Sequence, residues 1–431
     1  MSLEQRFKQR SAPIAVIGQG YVGLPLAVEF AQAGFRVHGI DVNQQTVARL
    51  NQGRSHVQDV PSSALTPLLR NGRYSATTDY SVIRKSGAVL LCVPTPLNKT
   101  KDPDMSFIVS ASEQVTKHVH KDLLVVLEST TYPGTTDELI LPMLSASGLR
   151  VGKDFFLAFS PERVDPGNPR FNTHNIPKVV GGVTPACTRI ACSLYGQTLE
   201  QVVPVSSTKV AEMVKLLENT FRSVNIGLVN ETALLCDRLG VDVWEVIRAA
   251  ATKPFGFMPF YPGPGLGGHC IPVDPFYLSW KARSAGFEAR FIELAGRVNS
   301  EMPGHVVRRV TQALNGVQKS VRGRRVLILG VAYKENIDDT RESPSLDIME
   351  LLHEMGAKVE YSDPFVPRLE LGGKALRSVK LTAVKLRTYD CVVLTTAHES
   401  FDYEMIWRAS PLLVDTRNAF RGRRGKKLIR L

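Results

Sequence analysis

The chain has 431 residues, 43% hydrophobic and 22% charged, with a formal net charge of +12. That length predicts two or three domains with apolar content enough for real cores, and the lack of a run of about 18 uncharged apolar residues excludes a transmembrane helix. The N-terminal MSLEQRFKQRSAP is polar, without the apolar stretch of a signal peptide, so the chain is expected to stay in the cytoplasm. Its six cysteines form no CxxC pair, and neither disulfides nor a metal site is expected. The positive charge fits nucleic acid, an anionic membrane surface or a small acidic ligand. Part of it sits in RGRRGKKLIRL, where Arg421, Arg423, Arg424, Lys426, Lys427 and Arg430 cluster. With no nucleic-acid-binding motif beside it, this segment reads as a solvated tail, and neither nucleic acid nor membrane is expected as a partner.

Two regions read as strand–turn–helix–strand units. The first opens at Ala12: PIAVIG is a short strand of buried type, GQGYVG a turn and LPLAVEFAQAG a helix. The strand FRVHGIDV follows, ending in an acidic residue, and AVLLCVP and LLVVLES are further strands. From about Ser206 to Ser300 the pattern is helical. SSTKVAEMVKLLENTFRSVNIGLVNETALLCDRLG has caps at Ser206 and Ser207, no internal proline and a stop at Gly240. Val210, Met213, Val214, Leu217 and Phe221 recur at helical spacing. About 33 residues make a helix of ~50 Å, long enough to link domains or pack on a partner subunit. The second region begins near Arg324 with the strand RVLILGVAY and the helical SPSLDIMELLHEMG. The strands AKVEYSDP, CVVLTT and LLVDTR complete it. The expected fold is α/β, with two Rossmann-like doubly wound domains joined by a long central helix.

Gly18, Gly20 and Gly23 form GxGxxG at the first strand-to-helix turn, with Tyr21 and Val22 between them. The glycines permit a tight turn, close approach of backbone to a pyrophosphate, and close helix packing; the helix N-terminus adds free N–H groups. Asp41 ends the next strand, 18 residues past Gly23, where a carboxylate binds ribose hydroxyls and repels a 2′-phosphate. The region is expected to bind NAD rather than NADP. The second α/β region opens LGVAYK, without GxGxxG, but carries Lys334, Arg341 and Arg417 near predicted strand ends, cations that suit phosphates or uracil carbonyls.

The segment FYPGPGLGGHCIPVDPFYL crowds Gly263, Gly265, Gly267 and Gly268 up to Cys270, with Asp274 four residues later. Such glycine density makes sense where backbone approaches a ligand closely. A structural cysteine more often lies in an apolar helix or strand, as Cys236 and Cys391 do by pattern, so Cys270 reads as a nucleophile, with His269 adjacent to it. A cysteine beside an NAD domain points to aldehyde chemistry. On the long helix Lys215 and Asn219 are spaced i, i+4; together they would hold an oxyanion, whereas a lone helical lysine is ordinarily a solvated one.

These residues resemble the UDP-glucose/GDP-mannose dehydrogenase family over nearly the whole chain. Four motifs match in order: GQGYVGLPLA, AEMVKLLENTFR, GPGLGGHCIPVDP and AYKENIDDTRESPS. Within the family, SPERVDPGNPRFNTHNIPKVVGG and PFYPGPGLGGHCIPVDPFYLSWKAR are most similar to UDP-N-acetylglucosamine 6-dehydrogenases. LGGHCIPVD departs from the FGGSC or FGGxCxPKD of UDP-glucose enzymes, with Val273 at the frequent lysine. UDP-N-acetylmannosamine, UDP-glucose and GDP-mannose stay open as substrates, and a non-catalytic nucleotide-sugar sensor stays open as a different class.

The resemblance implies an NAD-binding domain over 1–205, a helical dimerisation region over 206–300, a UDP-sugar-binding domain over 301–431, and a homodimer or higher homo-oligomer. It implies Cys270 as nucleophile, Lys215 and Asn219 on the oxyanion, and Asp274 assisting proton transfer or ordering the lysine. Glu162 of SPERV would help the hydrolytic water and Thr130 position it. Thr95, Thr130 and Arg341 would touch cofactor, and Tyr261, Gly265, Gly267, Lys334 and Arg417 substrate. The implied reaction is a four-electron oxidation of the sugar C6 alcohol to a carboxylate, used in surface-polysaccharide precursor synthesis.

Overall fold

A computed structural model describes residues 1–98, 102–165, 168, 170–268 and 270–431. The chain divides into two compact units, Met1–Glu218 with Phe276–Phe287, and Asn219–Pro275 with Glu288–Leu431.

In the first unit eight strands form one sheet: β1 (Ile14–Ile17), β2 (Val37–Ile40), β3 (Tyr74–Thr77), β4 (Ala88–Leu91), β5 (Leu123–Leu127), β6 (Phe155–Phe159), β7 (Lys178–Gly182) and β8 (Val202–Val205). Their order is β3-β2-β1-β4-β5-β6-β7-β8, parallel except where β6 meets β7. The first six strands have the order of a dinucleotide-binding fold, which places the ligand crevice at the carboxyl ends of β1 and β4. Side chains alternate between two cores. Ile14, Val16, Leu90 and Val126 pack with Ala27, Phe30 and Tyr195, while Ala15, Ile17, Leu91 and Leu127 pack with Ile108, Ile140 and Leu144. A sheet covered on both faces needs apolar residues at every position, which is why these strands read as unbroken apolar runs. The helix Gly23–Gln32 ends before Gly34, whose φ of +100° a side chain would resist.

The second unit contains β9 (Arg325–Leu329), β10 (Lys358–Ser362), β11 (Arg368–Leu371), β12 (Lys374–Arg377), β13 (Cys391–Leu394), β14 (Leu413–Asp415) and β15 (Leu428–Arg430). Five of them form a parallel sheet in the order β10-β9-β13-β14-β15, with β11 and β12 as a separate hairpin. This is the 2-1-3-4-5 order of the other common doubly wound class, with its crevice between the ends of β9 and β13. Val326 and Ile328 face the helix Pro344–Glu354 through Ile348, Met349 and Leu352. Leu327 and Leu329 face Phe401 and Ile406.

The basic C-terminal segment corrects the expectation of a solvated tail. Leu428–Arg430 is a strand of the sheet, with Leu428 packed on one core and Ile429 on the other. Arg430 donates to the carbonyls of Phe420 at 3.0 Å and Arg423 at 2.7 Å, Arg423 pairs with Glu404, and the Lys427 ammonium lies 4.6 Å from the Trp407 ring centroid. Arg421, Arg424 and Lys426 are exposed.

The long helix runs from Thr208 to Leu239, 32 residues or ~48 Å. The Ser207 hydroxyl accepts from the Val210 amide at 3.3 Å, and Gly240 stops the helix at φ +68°. A Cβ at its Gly227 would lie 3.1 Å from the Cα of Ala295, so a small residue is what lets it cross the helix Arg290–Asn315. Among the described residues no helix is long and apolar enough to cross a membrane.

Candidate active site

The cofactor turn follows from what its glycines touch. A Cβ at Gly18, where φ is +89°, would lie 2.5 Å from the Cys92 carbonyl oxygen, and one at Gly23 would lie 1.8 Å from that of Gly18. Gly20 instead faces open space, with nothing described within 4 Å of such an atom. Two glycines close the turn against β4 and the third leaves backbone accessible. The helix starts from Val22 with no side-chain cap among the described residues, so its positive end faces the turn; within that first turn the Leu24 amide donates to the Gly20 carbonyl at 3.1 Å, Pro25 carries no N–H, and Tyr21 is exposed. Asp41 follows β2, its two oxygens accepting from the Gln19 amide at 3.0 Å and the Asn43 amide at 2.9 Å. Those bonds fix an acceptor carboxylate at the strand end where a ribose diol binds. Thr95, in the loop after β4, is buried, and its carbonyl accepts from the Tyr277 hydroxyl at 2.7 Å. These residues fit NAD.

The first unit also carries Thr130, Glu162 and Lys215. Thr130 is half-buried in the loop after β5, and that loop is tied to the long helix. The buried Glu212 carboxylate accepts from the amides of Gly134 at 2.6 Å and Thr136 at 2.9 Å, and from the Thr136 hydroxyl at 2.7 Å. Glu212 lies one turn before Lys215, which is itself buried. Glu162 Oε1 accepts from the amides of Arg163 at 2.7 Å and Val164 at 2.9 Å, and its Oε2 lies 3.3 Å from Lys178 Nζ. Burial pushes the Glu162 carboxyl up, but Lys178, the two amides and the field of Lys215 outweigh it and hold it below the ordinary value. Lys178, Glu128 and Glu212 carry no role legible from the sequence, although they stand in SPERVDPGNPRFNTHNIPKVVGG, LLVVLES and AEMVKLLENTFR.

In the second unit Cys270 is partly exposed, and its carbonyl accepts from the amides of Val273 at 3.1 Å and Asp274 at 2.8 Å, a turn leading into the helix Asp274–Ser284. Asp274 is buried and accepts from Asn219 Nδ2 at 2.5 Å, while Asn219 Oδ1 accepts from Arg222. The Asn219 amide is thereby oriented, with a second N–H on the same nitrogen. His269 lies outside the described residues.

The glycine-rich loop packs closely on protein. A Cβ at Gly263 would lie 2.6 Å from the Arg417 guanidinium, at Gly265 3.1 Å from Pro344, and at Gly267 and Gly268 2.5 and 2.8 Å from Tyr333. The loop thus comes close to Arg417, Pro344 and Tyr333, and the Gly268 amide further donates to the Arg341 carbonyl at 3.1 Å.

A cavity of about 500 Å³ in this unit is lined by Trp244, Arg248, Tyr261, Tyr403, Arg417 and Arg421, among others. The Trp244 and Tyr261 rings stack at 6.2 Å and 13°. Arg417 Nε donates to the Thr395 carbonyl at 2.8 Å; burial lowers its guanidinium to about 10, which leaves it charged at neutral pH. Lys334 is partly exposed in the loop after β9, and Arg341 is exposed and pairs with Asp339 at 2.6 Å; neither is among the residues described as lining the cavity.

The family model of the UDP-glucose/GDP-mannose dehydrogenase NAD binding domain matches residues 12–199, that of its central domain 209–301 and that of its UDP binding domain 327–422. A UDP-N-acetyl-D-glucosamine 6-dehydrogenase of Pseudomonas aeruginosa is 39% identical over 393 residues, 90% of this chain and 91% of that protein. A UDP-N-acetyl-D-mannosamine dehydrogenase of Pyrococcus horikoshii is 34% identical over 411 residues, 94% of this chain and 95% of that one. The solved structure of a UDP-D-ManNAc dehydrogenase from Pyrococcus horikoshii superposes with a TM-score of 0.88 at 33% identity, covering 97% of this chain and 98% of that one. The chain therefore belongs to the UDP-glucose/GDP-mannose dehydrogenase family of NAD-dependent nucleotide-sugar dehydrogenases.

Proposed function

We propose that this protein oxidises the C6 alcohol of UDP-N-acetylglucosamine to the carboxylate, with Cys270 holding the sugar covalently between two oxidations. The observation that carries the four-electron reading is Cys270 itself, a partly exposed thiol at the head of a helix in a chain whose Cys92, Cys187, Cys236 and Cys391 are buried. Two molecules of NAD+, bound in succession, supply the oxidising capacity.

After the first oxidation the Cys270 sulfur adds to the C6 aldehyde, and the oxygen of the resulting thiohemiacetal is met by the Lys215 ammonium and the second amide N–H of Asn219. The second oxidation gives a thioester. Glu162 and Thr130 orient a water; its oxygen bonds to C6 as the carbon–sulfur bond breaks, returning the thiol and leaving the carboxylate. Asp274 holds Asn219 in register for this. Asp41, Thr95 and Arg341 serve the cofactor, with Asp41 excluding a 2′-phosphate. Tyr261, Gly265, Gly267, Lys334 and Arg417 serve the nucleotide sugar, and the exposed apolar stripe of the long helix serves a second copy of the chain.

The N-acetylglucosamine assignment is supported by the 39% identical Pseudomonas aeruginosa relative. A second reading, N-acetylmannosamine, is favoured by the Pyrococcus horikoshii protein and its structure. A panel of UDP- and GDP-sugars assayed with NAD+ and NADP+ separates them. UDP-N-acetylglucosamine with NAD+ is expected to give the highest kcat/KM, with NADP+ weaker by about 2–3 kcal/mol of discrimination. UDP-N-acetylmannosamine or UDP-glucose preferred would overturn the sugar assignment, and equal use of NADP+ the role of Asp41.

A further inference from the structure

Beneath Glu162 lies a buried chain of polar side chains that no step above uses. Glu128 follows β5, Lys178 opens β7 and Tyr195 ends the helix Pro185–Tyr195. The Lys178 ammonium lies 2.5 Å from Glu128 Oε2 and 3.3 Å from Glu162 Oε2, and the Tyr195 hydroxyl donates to the other oxygen of Glu128. Side-chain exposure falls from 14% at Glu162 to 4% at Lys178 and 0% at Glu128, so of these three Glu162 is the end open to a reactant. The other groups facing Glu162 are the Lys215 ammonium from the long helix and the Cys92 thiol after β4. Burial keeps that thiol protonated, and the Arg163 guanidinium is turned to Glu218 at 2.5 Å.

We propose that Lys178 is the positioning residue for Glu162: anchored by Glu128 and Tyr195, its ammonium fixes the orientation and the charge of the carboxylate that orients the hydrolytic water. A buried ammonium survives only where its partners are in place, and here three elements converge to supply them. The opposing shifts agree. Burial leaves Glu128 raised, whereas Glu162, which Lys178 also touches, is held below the ordinary value.

The inference rests on the proposed role of Glu162 in hydrolysis, and two readouts keep them apart. One is the titration of Glu162 by ¹³C-carboxyl NMR of glutamate-labelled full-length protein, assigned through Glu162→Gln. The other is the pH profile of kcat. In Lys178→Met the Glu162 midpoint is expected to rise by about one pH unit or more, a tenfold change in ionisation, with the acid limb of kcat moving up equally. Lys178→Arg is expected to restore both. Should Lys178→Met not fold, the double variant Glu128→Gln/Lys178→Met removes both buried charges and carries the same expectation. A folded variant of either kind with an unmoved Glu162 midpoint overturns the proposal. A midpoint that moves while the kcat profile stays fixed upholds Lys178 and removes Glu162 from hydrolysis.

Discussion

A cysteine becomes a nucleophile through its surroundings, and those of Cys270 differ from those of the four buried cysteines and from Cys192, which lies within the helix Pro185–Tyr195. Cys391, inside β13, has its thiol pushed up to about 12 by burial, which makes it inert; Cys270 stands at a helix head with access to solvent. Cys270→Ser is expected to lower kcat by at least about 10³-fold while leaving the NAD+ dissociation constant within about twofold, since the cofactor turn is built from residues 18–23. Steady-state rates and NAD+ titration calorimetry check it, and near-normal turnover would remove Cys270 from the mechanism. A second residue-scale expectation concerns Asp363. Its oxygens accept from the amides of Val331, Ala332, Phe365 and Val366 at 2.7–3.1 Å and from His398 Nε2 at 2.9 Å. The Asn336 amide donates to His398 Nδ1 at 2.9 Å, so the ring proton sits on Nε2 and the pair holds both ends of the turn carrying Lys334. Burial raises the Asp363 carboxyl, but these bonds outweigh it and hold it low. Its stabilisation is therefore complete above the ordinary carboxylate value and lost as pH falls through the depressed one. Asp363→Asn is expected to cost about 2–4 kcal/mol at pH 7, with the Tm gap to the parent closing below about pH 4. A gap that is constant with pH would contradict this. At this scale the sequence was legible where spacing carries chemistry, as in the cofactor turn of Gly18, Gly20 and Gly23. It was silent on Lys178 and Asp363, whose partners Glu128 and His398 are 50 and 35 residues away and which only the folded sheets bring into reach.

Among the elements, strands buried on both faces were legible because unbroken apolar runs leave few alternatives. β15 was not: two apolar residues, Leu428 and Ile429, among six cations look like a tail until β14 offers them an edge. The glycine-rich loop was legible as unusual, but its packing on protein was not, because the Tyr333 and Arg417 side chains that crowd those glycines lie 65 and more residues downstream. The long helix was read nearly to its ends, and its exposed face carries the one element-scale prediction. Val210, Met213, Leu217, Phe221, Leu228 and Leu235 are exposed at helical spacing, an apolar stripe that a solvated helix would not keep. Light scattering is expected to report a dimer or larger for the full chain and a shift toward monomer for Leu217→Glu/Leu228→Glu. A monomeric parent protein would contradict the proposed assembly.

The whole molecule pairs two doubly wound sheets of different strand order, and the difference matches a division of labour. The first has the glycine turn and Asp41 at its crevice; in the second the turn after β9 is pinned instead, where a Cβ at Gly330 would lie 2.5 Å from Thr396. Its cavity presents Arg248, Arg417 and Arg421 beside stacked aromatic rings, a setting for an anionic ligand with a flat base. A net charge of +12 that composition left open between nucleic acid and a small acidic ligand is thus spent in part on β15 and in part around this cavity. In the proposed reaction the covalent step at Cys270 sets how many electrons each sugar gives up. The decisive measurement is the NADH formed per nucleotide sugar consumed at completion, with the product identified by mass: two NADH and a C6 carboxylate are expected, whereas one NADH with free aldehyde accumulating would contradict the cysteine-linked four-electron reaction.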